Sequence, residues 1–264
     1  MGKIEEKFLI LKKNKKKALI VFVPFGFPNI SLSEKIIKTL DKTGVDFIEI
    51  GLPFSDPLAD GPIIQEANQI ALDRKATTDK LFYSLKKLKK SLVTPLIILT
   101  YYNPVYVYGL KKFLKNCHEA GVSGIMIVDL PFEEAGIYIK EAKENNLDTI
   151  FFITPTTEIE RAKKILSLSC GFIYYISVTG ITGPKKIPLT ELFSHLRGIK
   201  KLKKDINICV GFGIHKKTQI KEIIKESDGV IVGSAIVRYI KDNYLKKDFL
   251  KRLSNYVKEL CSAF

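Results

Sequence analysis

Two acidic residues, Glu49 and Asp60, stand where acid–base chemistry is expected. Glu49 lies inside the apolar run Phe47–Ile50, which is typical of a buried strand, and an ionised carboxylate there is costly unless it is paired or used. Asp60 lies in the segment that follows, where prolines and glycines prevent regular structure. A buried acid at a strand end and a second acid on the following loop are suited to general acid–base catalysis at the mouth of an α/β barrel.

Simpler roles are also open for these acids. Glu49 could pair with a lysine from a neighbouring element, and Asp56 or Asp60 could be turn aspartates that accept backbone hydrogen bonds. The residues alone therefore leave catalysis and structure as alternatives at both positions.

Three glycine-rich segments follow later apolar runs: Ser177–Gly183, Gly211–Gly213 and Gly233–Ala235. Backbone without side chains lets several N–H groups converge on an anion, and the Ser234 hydroxyl adds a donor. Glycines at these places are also common as plain turns, but three such segments together favour a phosphate site.

Alternating strands and helices must position these residues. The helices are predicted at 3–13, 33–43, 63–72, 79–90, 109–120, 133–145, 158–166, 189–203 and 216–226, with Ser31 or Ser33 as N-cap of the second and one or two more helices in the tail. Eight short strands rich in Ile, Val and Phe are predicted at Ala18–Phe25, Phe47–Ile50, Pro95–Thr100, Gly124–Asp129, Thr149–Ile153, Phe172–Ser177, Ile206–Val210 and Gly229–Val232.

Continuous apolar strands indicate a parallel sheet that is buried on both faces. Eight βα units in 264 residues predict a single-domain TIM (β/α)8 barrel over residues 1–264, with an extra N-terminal helix. An open doubly wound sheet is the alternative, but no GxGxxG motif follows the first strand to favour it.

The formal net charge of +15 does not by itself indicate nucleic-acid binding, because 38 of the 43 basic residues are lysine, whereas bidentate readout favours arginine. A positive field is instead suited to steering an anionic substrate. No apolar run reaches membrane length and no secretory signal is seen, which predicts a cytoplasmic protein, with an organelle as the alternative.

The residues needed for metal-assisted or Schiff-base catalysis are not seen in this sequence. The four cysteines and three histidines show no metal-ligand spacing, and no predicted strand core contains a lysine that could form a Schiff base. If the reaction makes or breaks a carbon–carbon bond, acid–base catalysis by carboxylates is the mechanism that remains.

The ten residues Pro53–Pro62 (Pro-Phe-Ser-Asp-Pro-Leu-Ala-Asp-Gly-Pro) closely resemble the signature of the tryptophan synthase alpha chain family. The resemblance covers nearly all of residues 15–240 and continues, in the same order, at Thr100–Pro104, Asp129–Pro131, Gly180–Gly183, Gly211–Gly213 and Gly233–Val237. It implies a lyase that cleaves indole-3-glycerol phosphate to indole and glyceraldehyde 3-phosphate.

The resemblance also implies roles for single residues. Glu49 would protonate C3 of the indole and accept the glycerol hydroxyl proton, while Asp60 would hydrogen-bond the indole N–H. The loop Thr179–Lys186 would close over the site. Substrate would be bound by Phe22, Tyr101, Tyr174, Thr182, Gly183, Phe212, Gly213, Gly233 and Ser234, of which the aromatic residues have plain core packing as the alternative.

The family works with a beta chain, and the resemblance implies an alpha2beta2 tetramer in which the partner, not this chain, binds pyridoxal phosphate. Positions that match this contact are Pro53, Asp56, Asn103 and Pro131, each of which could otherwise be a turn residue. Two departures from the family pattern occur, at Val178, where some members have arginine, and at Phe27, where an aspartate is usual.

Two other functions remain open at this stage. One is a non-catalytic barrel subunit that only activates a partner enzyme. The other is a different phosphate-binding barrel enzyme, such as an isomerase or an indoleglycerol-phosphate synthase, although the synthase would need a strand-end lysine.

Overall fold

Parallel strands with helices between them form the molecule in a computed structural model that describes residues 2–179, 185–186, 188–211 and 213–264. The strands are β1 (Ala18–Pro24), β2 (Phe47–Gly51), β3 (Leu96–Thr100), β4 (Val122–Ile127), β5 (Asp148–Thr149 continued by Phe151–Ile153), β6 (Ile173–Ile176), β7 (Ile208–Gly211) and β8 (Gly229–Val232). Apolar residues dominate them, and every residue of β1 and β2 is buried, as expected for strands covered on both faces.

The sheet closes into a barrel. Each strand pairs in parallel with the next, and β1 pairs with both β2 and β8. The first segment of β5 pairs with β4 and the second with β6, so the two segments on either side of Ile150 join the ends of the sheet. The predicted eight-stranded (β/α) barrel with an extra N-terminal helix is confirmed.

The α-helices lie at Lys3–Lys13, Ile30–Leu40, Pro62–Asp73, Thr78–Leu88, Tyr102–Tyr108, Leu110–Glu119, Gly136–Glu144, Ile159–Leu168, Leu189–Leu202, Lys217–Ile223, Ser234–Asn243 and Phe249–Cys261. Among the described residues, none of these helices has the length and apolar character needed to span a bilayer.

The N-terminal helix covers the floor of the barrel, the end at which the strands begin. Its buried residues Ile4, Phe8 and Leu11 recur at helical spacing and so share one face. The Phe8 ring lies 5.2 Å from the ring of Phe47 and 5.9 Å from that of Phe172, inside the barrel. This end of the barrel is therefore filled with tightly packed apolar side chains.

Two local predictions were wrong. The second helix begins at Ile30, and its N-cap is Asn29, whose side chain accepts a hydrogen bond from the Leu32 N–H. Ser33 instead accepts a bond from the backbone N–H of Gly26 (3.1 Å) and so fixes the loop after β1. A helix at Tyr102–Tyr108 was also missed, because its first N–H is bound by the side chain of Asp129, distant in sequence (2.6 Å).

Candidate active site

Glu49 lies on β2 with its side chain directed into the barrel. It is opposite Phe22 of β1 and Ile97 of β3, and only 1% of it is exposed. Its Oε2 atom is buried without a hydrogen-bond partner among the described residues, which disfavours the ion-pair alternative. Burial, with a smaller contribution from the charge of Asp60, raises the pKa of Glu49 to about 8. Glu49 is thus a protonated carboxylic acid at neutral pH.

Asp60 lies on the loop after β2 and is held by three neighbours. The Asn68 amide donates to its Oδ2 (3.3 Å), the Gln65 amide donates to its backbone carbonyl (2.9 Å), and the preceding Ala59 N–H donates to the Tyr101 hydroxyl (3.0 Å). Burial raises the pKa of Asp60 to about 6, while hydrogen bonds from Tyr101 and Asn68 act against that rise. Asp60 is therefore largely ionised at neutral pH.

Two aromatic side chains form walls beside Glu49, and glycines make room for them. A Cβ at Gly51 would lie 2.7 Å from the Phe22 ring, and one at Gly211 would lie 2.6 Å from Cζ of Tyr174. Such contacts are too close for any larger residue without movement of the ring. The Tyr174 ring also packs on Phe152, with centroids 5.2 Å apart.

Tyr174 lies close enough to Glu49 and Asp60 for electrostatic interaction with both carboxylates. Burial raises its pKa well above the usual range, and the negative charges of Glu49 and Asp60 add to this effect. Tyr101 shows the same direction of pKa shift from burial and the charge of Asp60. The structure thus brings Phe22, Tyr101 and Tyr174 together with the two carboxylates.

The predicted phosphate-binding residues follow β7 and β8. Gly213 adopts a left-handed backbone (φ 72°), which favours glycine. Gly233 precedes the helix Ser234–Asn243, and a Cβ at Gly233 would lie 3.5 Å from the Phe22 ring. Both glycines therefore lie at the end of the barrel where the strands finish, with Gly233 beside the Phe22 ring.

Three predicted substrate-binding residues, Thr182, Gly183 and Phe212, lie outside the described residues. The predicted closing loop is described only at its ends, where Val178–Thr179 pairs with Lys185–Lys186 as a short antiparallel ribbon.

The residues predicted to contact a partner lie on the loops after β2 and β4 and, for Asn103, in the helix Tyr102–Tyr108 that follows β3. Asp56, Asn103 and Pro131 are exposed, whereas Pro53 is buried. Two large apolar side chains are also exposed on these segments, Leu58 (78%) on the loop after β2 and Val107 (77%) in the helix Tyr102–Tyr108.

Sequence reasoning missed Asn68 and the packing roles of Gly51 and Gly211, the second of which it named only within a predicted phosphate-binding segment. Nothing in the helical pattern of 63–72 distinguishes Asn68 from other polar positions, since its partner is on the preceding loop. For Gly51 and Gly211 the usable signal was their position. Gly51 is the last residue of β2, which carries Glu49, and Gly211 is the last residue of β7, where a glycine-rich segment begins. Within the described ranges, no group of three His, Cys, Asp or Glu side chains is arranged to hold a metal.

Comparison with known proteins shows which family the chain resembles over nearly its whole length. The family model for the tryptophan synthase alpha chain matches residues 8–263. The tryptophan synthase alpha chain of Geotalea daltonii is 41% identical over 260 residues, which cover 98% of each chain. That of Methanocaldococcus jannaschii is 45% identical over 240 residues, covering 90% of this chain and 85% of the relative.

Solved structures show the same similarity. The alpha subunit of tryptophan synthase from Legionella pneumophila superposes with a TM-score of 0.92 at 32% identity, covering 100% of this chain and 98% of that one. A chain of tryptophan synthase from M. tuberculosis gives a TM-score of 0.89 at 29% identity, covering 99% and 98%.

Proposed function

Because this chain belongs to the tryptophan synthase alpha chain family, and is thus a lyase that cleaves indole-3-glycerol phosphate to indole and glyceraldehyde 3-phosphate, we propose that Glu49 and Asp60 are its catalytic pair. The observation that carries this assignment is two neighbouring carboxylic acids with separated pKa values, about 8 for Glu49 and about 6 for Asp60. Different environments give two like groups opposite protonation states at one pH.

The proton-transfer steps follow from these states. Protonated Glu49 donates to C3 of the indole ring, and the ring nitrogen gains positive charge that the Asp60 carboxylate stabilises through the indole N–H. The resulting Glu49 carboxylate then accepts the proton of the hydroxyl next to the ring as the carbon–carbon bond breaks. The bonding electrons return to the ring, indole and the aldehyde are released, and Glu49 is again protonated.

The surrounding residues supply binding. Phe22, Tyr101 and Tyr174 give an aromatic enclosure of a kind suited to a planar indole, with Phe212 as a further wall. Gly213, Gly233 and Ser234 offer backbone and hydroxyl donors for the phosphate at the opposite end of the substrate, together with Gly183. Thr182, which lies outside the described residues, is assigned by the family resemblance to a loop that would close over the pocket and exclude water.

We also propose a complex with a tryptophan synthase beta chain, as an alpha2beta2 tetramer whose pyridoxal phosphate belongs to the partner. Support comes from the relatives' name as alpha chains, from the exposed residues Asp56, Asn103 and Pro131, and from the exposed Leu58 on the same loop as Asp56. Exposed apolar side chains in one region are typical of an interface. Pro53 is buried and supports the shape of its loop.

Two further properties belong to this proposal. We place the enzyme in the cytoplasm, a reducing compartment, because its four cysteines are free thiols. We treat residues 1–264 as one domain, because the N-terminal helix and the barrel strands share a single interior cluster. The alternative of a non-catalytic activating subunit is disfavoured by the family and by the perturbed acid pair.

Indole release from indole-3-glycerol phosphate tests the acid pair. Glu49→Gln is expected to lower kcat by about a hundredfold to ten-thousandfold and Asp60→Asn by about a hundredfold or more, because each removes a group that acts in the transition state. Glu66→Gln, an exposed carboxylate that pairs with Lys241, is the matched control and should retain activity. Addition of a beta chain should accelerate the parent protein. Unchanged release by folded Glu49→Gln would refute the assignment.

The pH dependence of kcat/KM gives an independent check. Activity needs ionised Asp60 and protonated Glu49, so kcat/KM is expected to fall below about pH 6 and above about pH 8. Glu49→Gln, measured at its residual rate, should lose the alkaline limb and keep the acidic one. A profile of the parent protein that is flat between about pH 5 and about pH 9 would contradict these roles.

A further inference from the structure

Asn68 is a buried polar residue on the helix Pro62–Asp73, and its side chain faces the loop that carries Asp60. Only 4% of Asn68 is exposed, and its Nδ2 atom lies 3.3 Å from Oδ2 of Asp60. When a buried amide donates a hydrogen bond to a carboxylate, the bond fixes the orientation of the amide and restrains the carboxylate. We propose that Asn68 is a positioning residue whose hydrogen bond keeps the Asp60 carboxylate ionised for the reaction, an inference that rests on the catalytic role proposed for Asp60.

The contacts divide the work of holding Asp60. Gln65, one turn earlier on the same helix, donates to the backbone carbonyl of Asp60 and so fixes the main chain. The Tyr101 hydroxyl receives the N–H of Ala59 and lies beside the carboxylate. Asn68 donates to the carboxylate oxygen itself, so its loss acts on the charge of the side chain and leaves the backbone bond in place.

The electrostatic effect of Asn68 has a definite sign. Burial favours the neutral form of Asp60, and among the described residues the groups that oppose it are the donors Tyr101 and Asn68. The other titratable groups near this carboxylate, Glu49 and Tyr174, are acids and provide no positive charge. A hydrogen bond to an ionised group stabilises that form, so removal of the Asn68 donor makes Asp60 keep its proton to a higher pH.

The pH profile of indole release by the full chain, with and without a beta chain, tests this inference. In Asn68→Leu, which has similar size and no donor, the midpoint of the acidic limb of kcat/KM should rise by about one pH unit. The rate at about pH 5 should fall about tenfold, and the rate near about pH 7.5 should stay within about threefold of the parent value. Asn68→Ala, which leaves space instead of a larger apolar group, should show the same displacement if Asn68→Leu does not fold.

Gln69→Ala is the matched control, because Gln69 is an exposed amide on the same helix that donates to Asp73 (2.8 Å). Its profile should follow that of the parent protein. A merely structural role for Asn68 predicts a lower thermal midpoint and an equal loss of rate at every pH, and either variant behaving in that way would overturn the inference. Asp60→Asn separates the two proposals: full activity in that variant refutes the role of Asp60, whereas its inactivity beside unmoved profiles of the Asn68 variants refutes the role of Asn68 alone.

Discussion

Asp46, the residue that precedes β2, and Glu49, within β2, have opposite surroundings. At the floor, Asp46 accepts a hydrogen bond from the backbone N–H of Leu19 (2.9 Å) and pairs with Lys7 (3.1 Å). At the mouth, Glu49 is buried deeper and one of its oxygens has no partner within the described residues. The four residues Asp46–Glu49 thus hold one carboxylate whose bonds secure the barrel and one whose isolation costs stability but prepares a proton for transfer.

Other residues at the floor and at the mouth of the barrel show the same contrast between paired and unpaired acids. Asp228 repeats the floor arrangement, since it accepts the backbone N–H of Ile208 (2.9 Å) and pairs with Lys200 (2.5 Å). The mouth instead has glycines beside large rings and an acid on a loop. Stability is concentrated where the strands begin and reactivity where they end, as expected for a barrel enzyme.

Replacement of the mouth carboxylate should give the largest effect on stability. A Glu49 pKa of about 8 in the folded protein, against 4.5 as the ordinary value, means that folding loses stability as pH rises from about 4.5 to about 8. Above that range the loss is about 4 to 5 kcal/mol, so Glu49→Gln should be more stable than the parent protein by about this amount while being almost inactive.

Urea unfolding at about pH 8.5 and at about pH 4 measures this difference, which should nearly vanish at the lower pH because Glu49 is then protonated in both states. Equal stability of the two proteins at the higher pH would remove the physical basis of the comparison.

Replacement of the floor carboxylate should have a smaller effect of the opposite sign. Asp46→Ala leaves the N–H of Leu19 without its side-chain acceptor and should lower the free energy of unfolding by about 1 to 2 kcal/mol. Asp46→Asn keeps an acceptor and loses only the partly exposed ion pair with Lys7, so its cost should be below about 1 kcal/mol.

Both Asp46 variants should keep the kcat of indole release, measured beside denaturant unfolding at one pH. A loss of kcat in Asp46→Asn that matches the loss in Glu49→Gln would show that the two ends of β2 are not separable in function.

The sequence predicts the barrel well because its strands are continuous apolar runs, such as residues 18–24, between helices with clear apolar faces. The missed helix Tyr102–Tyr108 depends on a tertiary contact, since its N-terminus is satisfied by Asp129 from the next strand's loop. Sequence patterns carry no trace of such a bond between distant residues, and aromatic residues with a proline do not indicate a helix by themselves.

The acid pair was predicted from the sequence because Glu49 stands within a strand and because Pro53–Pro62, which contains Asp60, resembles the family signature, whereas the residues that support the pair were not predicted. Asn68 is an ordinary polar residue until the fold places it against Asp60. The protonation state of Glu49 could not be predicted from the sequence either. Only the packing shows that, among the described residues, no lysine pairs with its buried Oε2 atom.

The close approach of Gly51 to Phe22, and of Gly211 to Tyr174, has a consequence for how this pocket can evolve. A side chain can enter position 51 or 211 only if the facing ring becomes smaller or turns away, so a mutation at one member of a pair is deleterious until the other changes. The two positions of each pair are therefore expected to evolve together. Either glycine can be replaced without loss of function only after the aromatic residue that faces it has been substituted.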